Sequence, residues 1–434
     1  MFTSALVCGS RVCNIKNFKG GILMKSRVFL LVIGMISMLS IGLFAVTVVT
    51  LGGWVSSPVE QQAMESVVKA FNQRYAGQIE LKYQPIPGNY LVKLTSELSA
   101  GTAPDIFYLD SSYAQQFIRS GAVYPLDYFV KKYNFPVSDF ATSLLQPFEY
   151  DGHIYGFPKD FSTLALFYNK DIFDKYNVPY PTNNWTWQDL LSAAEKLNHP
   201  QDGIYALSLS PNALDRVMPF IFQNGGEVVN SQMQPELNTP QAIQAIQFYF
   251  DLHNKYHVAI QPSDVGAGWN GDAFGRGKVA MIMEGPWAYS FLKETYPQIN
   301  FGMTVMPMEK TRATMIYTVC YAMSRSTPDK DAAWKAMEFL LTDGMKIFTE
   351  KLGVIPTRFS IQKSENVFEN PADKVFVEQV GYGHGWFIPT SNGNSSKLLD
   401  NINSELYNIW QNKVTVEQAV DYITQNWNNW ASQQ

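Results

Sequence analysis

Residues 274–307 of the chain read FGRGKVAMIMEGPWAYSFLKETYPQINFGMTVMP, and this stretch decides how the rest is interpreted. The run from Lys278 to Met283 is short and apolar, as in a buried strand. Gly285-Pro286 ends that strand and redirects the backbone, which leaves Trp287 at the corner before a short helix. A second strand is predicted from Phe301 to Met306. An indole at such a corner offers a flat face for stacking, although large aromatic side chains more often pack in a core.

Length and composition indicate a globular protein of more than one domain. The chain has 434 residues, of which 46% are hydrophobic and 16% charged, with a net charge of -5. That length accommodates two or more domains, and the hydrophobic content excludes a disordered chain. No basic stripe is present, so nucleic acid is not expected as a partner. Aromatic residues make up 14% of the chain, which fits both a rich core and a surface that stacks on flat ligands.

Neither a cofactor nor a metal ion is predicted. Cys8 and Cys13 precede the hydrophobic leader, so Cys320 is the one cysteine of the folded body, which excludes a disulfide framework and a thiolate metal site there. His253 and His257 are four residues apart, but HNKYH lacks the glutamate of the zinc-protease motif. The GxGxxG match at 266–271 does not follow a strand that opens a βαβ unit, as dinucleotide binding requires.

The N-terminal region predicts export. Residues 24–27 (MKSR) form a short basic segment, and Val28 to Phe44 follow without a charge. This pattern is typical of a secretory signal or of an uncleaved anchor, and both remain open. Gly42 suits cleavage, and the β-branched run from Val46 to Leu51 predicts the first strand of the domain. Residues before Met24 are assigned no fold.

The first part of the body alternates between strand and helix. After the first strand comes a helix whose apolar face includes Met64, Val67 and Phe71, then a strand at 78–84, a helix at 90–98 and a buried strand at 105–109. This βαβαβ order predicts a parallel sheet covered by helices. Ligands of such sheets bind beyond the carboxyl ends of the strands, which here are followed by Trp54 and Asp110.

The middle of the chain predicts a second domain. Leu164 to Tyr168 forms a strand suited to crossing between two lobes. Helices are predicted after Thr186, Thr239-Pro240 and Thr327-Pro328, and the last helix opens with a capping-box pattern at Thr415. No Pro- or Ser-rich linker divides the chain, so the sequence favours two domains joined by a hinge.

Six segments occur in the order typical of one family. They are VKAFNQRYAGQIELKY, LSAGTAPDIFYLDSSY, DGHIYGFPKDFSTLALFYNKDIF, PFIFQNGGEVVN, AFGRGKVAMIMEGPWA and LGVIPTR. From about Val46 to the C-terminus the chain resembles extracellular solute-binding proteins of the maltose/trehalose/multiple-sugar type. In this family the segment around GPW supplies a ligand-facing tryptophan. The resemblance therefore favours a binding role for Trp287 over a packing role.

The resemblance implies a two-lobed, type II periplasmic-binding-protein-like α/β fold, in which each lobe has a central sheet flanked by helices and the lobes close like a hinge. The expected division is residues 1–45 as extension and signal or anchor, 46–166 as first lobe, 167–286 as second lobe, 287–326 as return to the first lobe and 327–434 as helical part of the second lobe. It also implies a monomeric, non-enzymatic periplasmic receptor that captures a sugar, expected to be a di- or oligosaccharide, and delivers it to an ABC permease.

Four residues carry the sugar-binding role that the resemblance implies. Asp110 and Asp160 match positions where the family places carboxylates on sugar hydroxyls, and an ionised carboxylate accepts strong charge-assisted hydrogen bonds. Trp54 and Trp287 are expected to stack on opposite ends of the ligand. For Asp110 the plain alternative is an exposed cap of the next helix, and a similar alternative applies to Asp160.

Three further residues are expected at the site with weaker support. Arg358, in the IPTR segment, either donates to a sugar hydroxyl or braces the hinge. Trp386, in the Gly-rich segment GYGHGWFIPT, is a candidate third stacking ring. Tyr321 departs from the small or Gly-rich pattern expected at its crossing, where it would shape the pocket.

Two other functions fit the same sequence features. A secreted glycoside hydrolase would need two carboxyl groups that flank the scissile bond, one of them protonated. A membrane-tethered sugar sensor would keep the leader uncleaved and report the ligand to another protein. Turnover of glycosides would indicate the first, and retention of residues 25–44 would favour the second.

Overall fold

The computed structural model describes residues 46–432 except 56–57, 87–88, 353, 370, 389 and 391–394. The predicted leader, Cys8 and Cys13 therefore lie outside the described residues. Residues Thr47–Gln434 form one compact unit. Within the described ranges, none of the helices combines the length and the hydropathy needed to span a membrane.

The chain alternates between strands and helices over most of its length. The strands are β1 (Thr47–Gly53), β2 (Ile79–Pro85), β3 (Ile106–Asp110), β4 (Glu149–Tyr150), β5 (His153–Ile154), β6 (Gly156–Thr163), β7 (Ala165–Asn169), β8 (Tyr205–Ser208), β9 (Ala259–Ile260), β10 (Val279–Glu284), β11 (Phe301–Val305), β12 (Thr314–Met323) and β13 (Gly383–Gly385).

The helices of the first half are α1 (Pro58–Arg74), α2 (Tyr90–Ala100), α3 (Ser111–Arg119), α4 (Asp127–Tyr133), α5 (Thr142–Leu145), α6 (Lys170–Lys175), α7 (Trp187–Leu197) and α8 (Leu214–Gln223). Those of the second half are α9 (Pro240–Asn254), α10 (Asn270–Gly275), α11 (Pro286–Thr295), α12 (Lys330–Leu340), α13 (Asp343–Leu352), α14 (Phe359–Ser364), α15 (Pro371–Val377), α16 (Ser396–Trp410) and α17 (Val416–Ser432).

Two large sheets define two lobes. The first sheet has the strand order β13-β12-β3-β1-β2, and β6 also pairs with β12. In it, β1 runs parallel to β2 and β3, whereas β12 runs antiparallel to β3 and β6. The second sheet has the order β11-β7-β10-β8-β9. Here β10 and β8 are parallel and β7 is antiparallel to β10 and β11. The chain passes from one sheet to the other at Leu164, between β6 and β7.

The elements that carry the candidate site were predicted correctly. The strands at β1, β3 and β10 and the helix after Gly285 are confirmed. Thr186 caps α7 with a reciprocal capping box, and Thr415 exchanges hydrogen bonds with Gln418 at the start of the last helix. The helix predicted to start at Thr327-Pro328 begins later, at Lys330, because the Asp329 carboxylate accepts the hydrogen of the Ala332 N–H and caps it.

Each lobe has its own apolar core. The first-lobe core includes side chains of β1 and β3 and also Trp334, Met337 and Phe348 from α12 and α13. The second-lobe core includes side chains of α7, α8, α9, α16 and α17. The expectation that all of 327–434 belongs to the second lobe is therefore wrong for α12 and α13, whose apolar faces pack on the first core. The other boundaries of the lobes stay a prediction.

Candidate functional site

Trp287 lies in the first turn of α11, directly after the strand β10. Its indole N–H donates to the Glu284 carboxylate at 2.9 Å, and the edge of its ring meets Tyr317, with ring centroids 5.5 Å apart. The ring lies over the backbone of Gly285, where an added Cβ would come within 2.3 Å of an indole carbon. The strand end, the glycine and the glutamate thus hold a half-buried indole in one orientation.

A buried ionic cluster surrounds this tryptophan, and the sequence analysis missed it. Arg216, from α8, donates to Glu284 at 3.1 Å and to the Tyr317 hydroxyl at 2.7 Å. The Tyr317 hydroxyl in turn donates to Asp215 at 2.7 Å. The sequence does contain a signal for this cluster. Glu284 ends an apolar strand, and Asp215 and Arg216 are adjacent in an otherwise apolar helix.

Electrostatics fix the protonation of two members of this cluster. Burial alone lowers the pKa of the Arg216 guanidinium, but Tyr317, Glu284 and Asp215 more than reverse this and raise it. Burial raises the pKa of the Tyr317 phenol well above its usual range, although the nearby Arg216 opposes the shift. Arg216 is therefore a permanent cation and Tyr317 a neutral hydroxyl that both accepts and donates. The Asp215 side chain, 20% exposed, is the member from which a carboxylate oxygen can reach a ligand.

The two predicted carboxylates lie on one face of the first sheet. Val319 of β12 pairs with Asp110 of β3 on one side and with Asp160 of β6 on the other. Residues that pair directly across strands point to the same face, so both carboxyl groups flank Val319. Two residues earlier on the same strand, Tyr317 also points to this face and connects it to Trp287.

Asp110 is both a helix cap and a buried acid. Its carboxylate accepts from the Ser112 N–H at 2.9 Å and from the Ser112 hydroxyl at 2.5 Å, at the start of α3. Burial raises the pKa of Asp110, the two bonds from Ser112 oppose this, and the charge of Asp160 adds to the increase. Asp110 is therefore the N-cap of α3, although not an exposed one, and both bonds from Ser112 reach the same carboxylate oxygen.

Trp54 and Asp160 are linked through one buried tyrosine. The half-buried Trp54 ring meets Tyr90 and Tyr108 edge to face, with centroids 5.1 and 5.3 Å apart. The ammonium of Lys159 lies 4.7 Å from the centroid of the Tyr108 ring and forms an ion pair with Asp160. A β-bulge next to Val319 gives Lys159 its buried position. Trp54 directly after β1, Asp110 at the end of β3 and Asp160 within β6 are thereby connected in the first lobe.

Two predicted site residues, Tyr321 and Arg358, are buried inside the protein. Tyr321 is 2% exposed and packs in the first core, where its ring meets Tyr108 at 5.7 Å. Its ring is therefore part of the first core, and its expected role in shaping the pocket stays a prediction. Arg358 is also buried, and its guanidinium donates to Asp139 at 2.7 Å and to the Leu341 carbonyl at 3.2 Å. Of the two roles considered for Arg358, the structure favours the brace.

Trp386 lies beside the strand β12. Its backbone N–H donates to the Ile316 carbonyl at 2.7 Å, directly after the pairing of β13 with β12. Its half-buried ring packs against the second core. Trp386 is therefore adjacent to Tyr317 along the strand, on the same side of β12 as Asp110.

The chemistry of this arrangement is hydrogen bonding and stacking. Half-buried indoles at Trp54 and Trp287 follow strands of the two lobes. Asp110 and Asp160 lie on one face of the first sheet, and Asp215 bonds to Tyr317 beside Trp287. In the part of the chain that the structure describes, no group of three or more His, Cys, Asp or Glu side chains is placed to hold a metal ion. Flat apolar faces and acidic acceptors together suit a ligand with many hydroxyl groups.

Comparison with known proteins agrees with this geometry. Residues 56–347 match the family model described as "Bacterial extracellular solute-binding protein". A protein of Brucella abortus (strain 2308) described as a binding protein is 28% identical over 313 residues, which cover 70% of this chain and 75% of that relative.

Two solved structures are similar over most of the chain. An ABC substrate-binding protein from Listeria monocytogenes, in complex with cycloalternan, has a TM-score of 0.77 and 26% identity, and covers 88% of this chain and 98% of its own. The GacH receptor of Streptomyces glaucescens, solved unliganded and with acarbose, has a TM-score of 0.75 and 22% identity, with coverages of 89% and 99%. The two-lobed α/β fold predicted from the sequence is confirmed.

Proposed function

Because this chain belongs to the family of bacterial extracellular solute-binding proteins, we propose that it is the carbohydrate-binding component of an ABC-type importer. The sugar is held between the two lobes and delivered to the membrane permease. The proteins similar to it are substrate-binding proteins, and the Listeria relative was solved with cycloalternan, a carbohydrate.

One observation carries this proposal. Trp287 is held by Glu284 at the end of β10, while Asp110 and Asp160 flank Val319 in the sheet of the opposite lobe. The apolar face of a pyranose stacks on an indole, and its hydroxyls donate to carboxylates. A ligand that contacts both lobes at once stabilises the closed arrangement, since closure follows only from a difference in affinity between the two states.

The proposal also covers where the protein acts and which partner it contacts. The protein acts in the periplasm as a monomer, and the closed lobes form the surface that the permease subunits contact. Cleavage of the leader and retention of an N-terminal anchor both fit this function, because every residue of the sugar site follows the leader. Determining the mass of the N-terminal peptide from the native protein distinguishes them.

A hydrolase is the second candidate, because burial raises the pKa of Asp110 beside a second carboxyl group. That pair is what glycoside hydrolysis requires of its acid and its nucleophile or base. However, the hydrogen bonds from Ser112 oppose that increase because they favour the ionised carboxylate, and the proteins similar to this chain are substrate-binding proteins. We therefore propose that the protein binds sugar without cleaving it.

Isothermal titration of the purified protein tests the proposal. The panel contains mono-, di- and oligosaccharides of glucose, galactose and mannose, with amino acids and peptides as controls. We expect saturable one-to-one binding of a sugar that is recovered intact. Binding of an amino acid or peptide alone would assign a different solute, and recovery of cleaved sugar would assign the hydrolase.

A further inference from the structure

A buried lysine lies directly beside one of the carboxylates of the proposed sugar site. The Lys159 side chain is buried, and its ammonium forms an ion pair with the carboxylate of Asp160. Among the residues that the structure describes, Asp160 is the one acidic side chain paired with this ammonium. A lysine is almost never fully buried unless it is paired. The fold therefore maintains a cation in the immediate surroundings of Asp160.

The pairing of these two neighbours depends on a β-bulge in β6. Val319 of β12 pairs with Asp160, but the next residue of β12, Cys320, pairs with Pro158, so one residue of β6 is left over. That residue is Lys159. On a regular strand neighbouring side chains point to opposite faces, and the lysine would point away from the carboxylate of the next residue. The bulge redirects the lysine and makes the ion pair possible.

Two aromatic rings fix the position of the ammonium. It lies 4.7 Å from the centroid of the Tyr108 ring, on β3, and 4.8 Å from the centroid of the Phe348 ring, on α13. A cation within about 6 Å of a ring centroid is attracted to the ring. Both rings are buried, and the Tyr108 ring packs directly on the backbone of Gly53. Three elements, β6, β3 and α13, thus hold the cation in one place.

The two members of the pair differ in their access to a ligand. The Lys159 side chain is 3% exposed, whereas the Asp160 side chain is 22% exposed. The ammonium is therefore shielded from a ligand that contacts the carboxylate. Any effect of Lys159 on ligand binding has to act through Asp160.

Each lobe has a buried cation beside an acid of the site. In the second lobe, Arg216 pairs with Glu284 next to the stacking indole. In the first lobe, Lys159 pairs with Asp160, which lies on the same face of the sheet as Asp110. The charge of Asp160 contributes to the raised pKa of Asp110, so the two carboxylates interact. A fixed ammonium reduces the repulsion between two carboxylates that both have to accept hydrogen bonds from one ligand.

We propose that Lys159 is a positioning residue of the sugar site, whose ammonium holds the carboxylate of Asp160 in the orientation that accepts hydrogen bonds from sugar hydroxyls. This inference rests on the proposed function. A carboxylate that is fixed before the ligand arrives loses less conformational freedom on binding, which increases affinity. Lys159 itself does not touch the sugar.

Replacement of Lys159 by methionine tests the inference, because methionine keeps an unbranched side chain among the aromatic rings and removes the charge. The purified protein is titrated with the tightest-binding member of the panel of glucose, galactose and mannose saccharides. We expect Lys159→Met to weaken binding by about tenfold or more, the order of one misplaced charge-assisted hydrogen bond. Chemical denaturation should show unchanged or increased stability, since replacement of a buried charge by an apolar side chain is often neutral or stabilising.

A double-mutant cycle shows whether the lysine acts through Asp160. The amide in Asp160→Asn forms no ion pair but still accepts a hydrogen bond through its oxygen. In this background we expect Lys159→Met to change sugar affinity by less than about twofold, within the usual error of additivity. If Asp160→Asn fails to fold, the affinity and stability of Lys159→Met alone decide.

Lys132→Met is the matched control for the loss of the cation. Lys132 also pairs with an aspartate, Asp331, and its ammonium lies 5.4 and 5.2 Å from the ring centroids of Tyr128 and Tyr133. This pair is on the protein surface, where both side chains are accessible. We expect the control to keep the sugar affinity of the unaltered protein.

The outcomes separate this inference from the proposed function. Unchanged affinity in Lys159→Met, or an equal loss with and without Asp160→Asn, overturns the positioning role and leaves the sugar receptor intact. A loss of affinity that comes with a large loss of stability assigns Lys159 a structural role and also overturns the inference. Binding of no sugar by the unaltered protein overturns the proposed function and this inference with it.

Discussion

The indole N–H of Trp287 donates to the carboxylate of Glu284, which is three residues earlier at the end of the same buried strand, at 2.9 Å. Glu284 also accepts from Arg216 and, through its other oxygen, from Asn270 at 2.9 Å. The tryptophan is therefore held through an acid that is itself fixed by two other donors. Pre-orientation of this kind lowers the entropic cost of ligand binding.

Replacement of Trp287 by alanine is expected to weaken sugar binding by more than about tenfold, because removal of a stacking face costs on the order of 1.4 kcal/mol or more. The half-buried ring lies at the rim of the core, so the variant is expected to fold. Titration calorimetry measures the affinity, and circular dichroism checks the fold. Unchanged affinity in a folded variant would exclude Trp287 from the site.

Removal of the Tyr317 hydroxyl is expected to destabilise the buried cluster. In Tyr317→Phe, both Arg216 and Asp215 lose a hydrogen bond of 2.7 Å. Groups left unpaired in a buried place cost about 1–3 kcal/mol each, so for two groups the free energy of unfolding should fall by about 2–6 kcal/mol. Chemical denaturation measures the change.

Tyr180→Phe is the matched control for this prediction. The Tyr180 hydroxyl donates to Asp174 at 2.7 Å on the protein surface, where water replaces the lost bond. We expect this variant to stay within about 0.5 kcal/mol of the unaltered protein. Equal losses in the two variants would show that the Tyr317 cluster contributes no more than a surface contact.

The raised pKa of Asp110 predicts that sugar affinity depends on pH. The carboxylate must be ionised to accept hydroxyl hydrogen bonds, and burial shifts its protonation to a higher pH than usual for aspartate. Affinity should therefore decrease as the pH falls through this raised pKa. In Asp110→Asn the affinity should be lower at neutral pH and should lose this dependence. Parallel pH profiles for the two proteins would contradict the assignment.

The same substitution is expected to leave stability intact or to increase it. A carboxyl whose pKa is raised by folding binds its proton more tightly in the folded state, so its ionisation lowers stability as the pH rises through that pKa. Asparagine removes this cost and still caps α3, since it is as good an N-cap as aspartate. Denaturation at neutral and acidic pH measures the effect. A large loss of stability at neutral pH would assign Asp110 a purely structural role.

Arg358→Ala distinguishes a brace from a ligand contact. Arg358 and Asp139 are 11% and 14% exposed, and Asp139 has a lowered pKa, since hydrogen bonds from Ser360 and Arg358 outweigh its burial. Loss of one partner of a buried pair costs about 3–5 kcal/mol. Chemical denaturation of Arg358→Ala should show that the free energy of unfolding falls by an amount in this range. The folded fraction should bind sugar with unchanged affinity.

The exposed pair of Arg74 and Asp343 provides the comparison for Arg358. Both side chains are about half exposed, and surface ion pairs contribute about 0–1 kcal/mol. Arg74→Ala should therefore have little effect on the free energy of unfolding. If Arg358→Ala proved equally mild and weakened sugar binding, the guanidinium would act on the ligand instead.

Local sequence patterns were sufficient to predict the positions of Trp54, Asp110 and Trp287. Each follows a strand whose apolar run and ending residues are visible in the sequence, and a strand end determines where the next side chain points. The predicted role of Asp110 as a ligand contact remains to be tested, but its place beside Asp160 follows from the pairing of both with β12.

The ionic cluster was beyond such patterns. Arg216 and Tyr317 are 101 residues apart and meet only because α8 packs against β12. The burial of Tyr321 was beyond them for the same reason, since it depends on how the core of the first lobe packs against β12. Charged residues at the ends of apolar runs, such as Glu284, are the local signal that would have indicated the cluster.

The most direct test of the account is the crystal structure of the protein with the sugar that binds most tightly in the titration panel. The distance between a sugar ring and the indole plane of Trp287 is the decisive quantity. We expect a pyranose in van der Waals contact with this ring and hydrogen-bonded to Asp110 or Asp160 from the opposite lobe. A sugar bound outside the two lobes, or one that leaves Trp287 free, would contradict the proposed site.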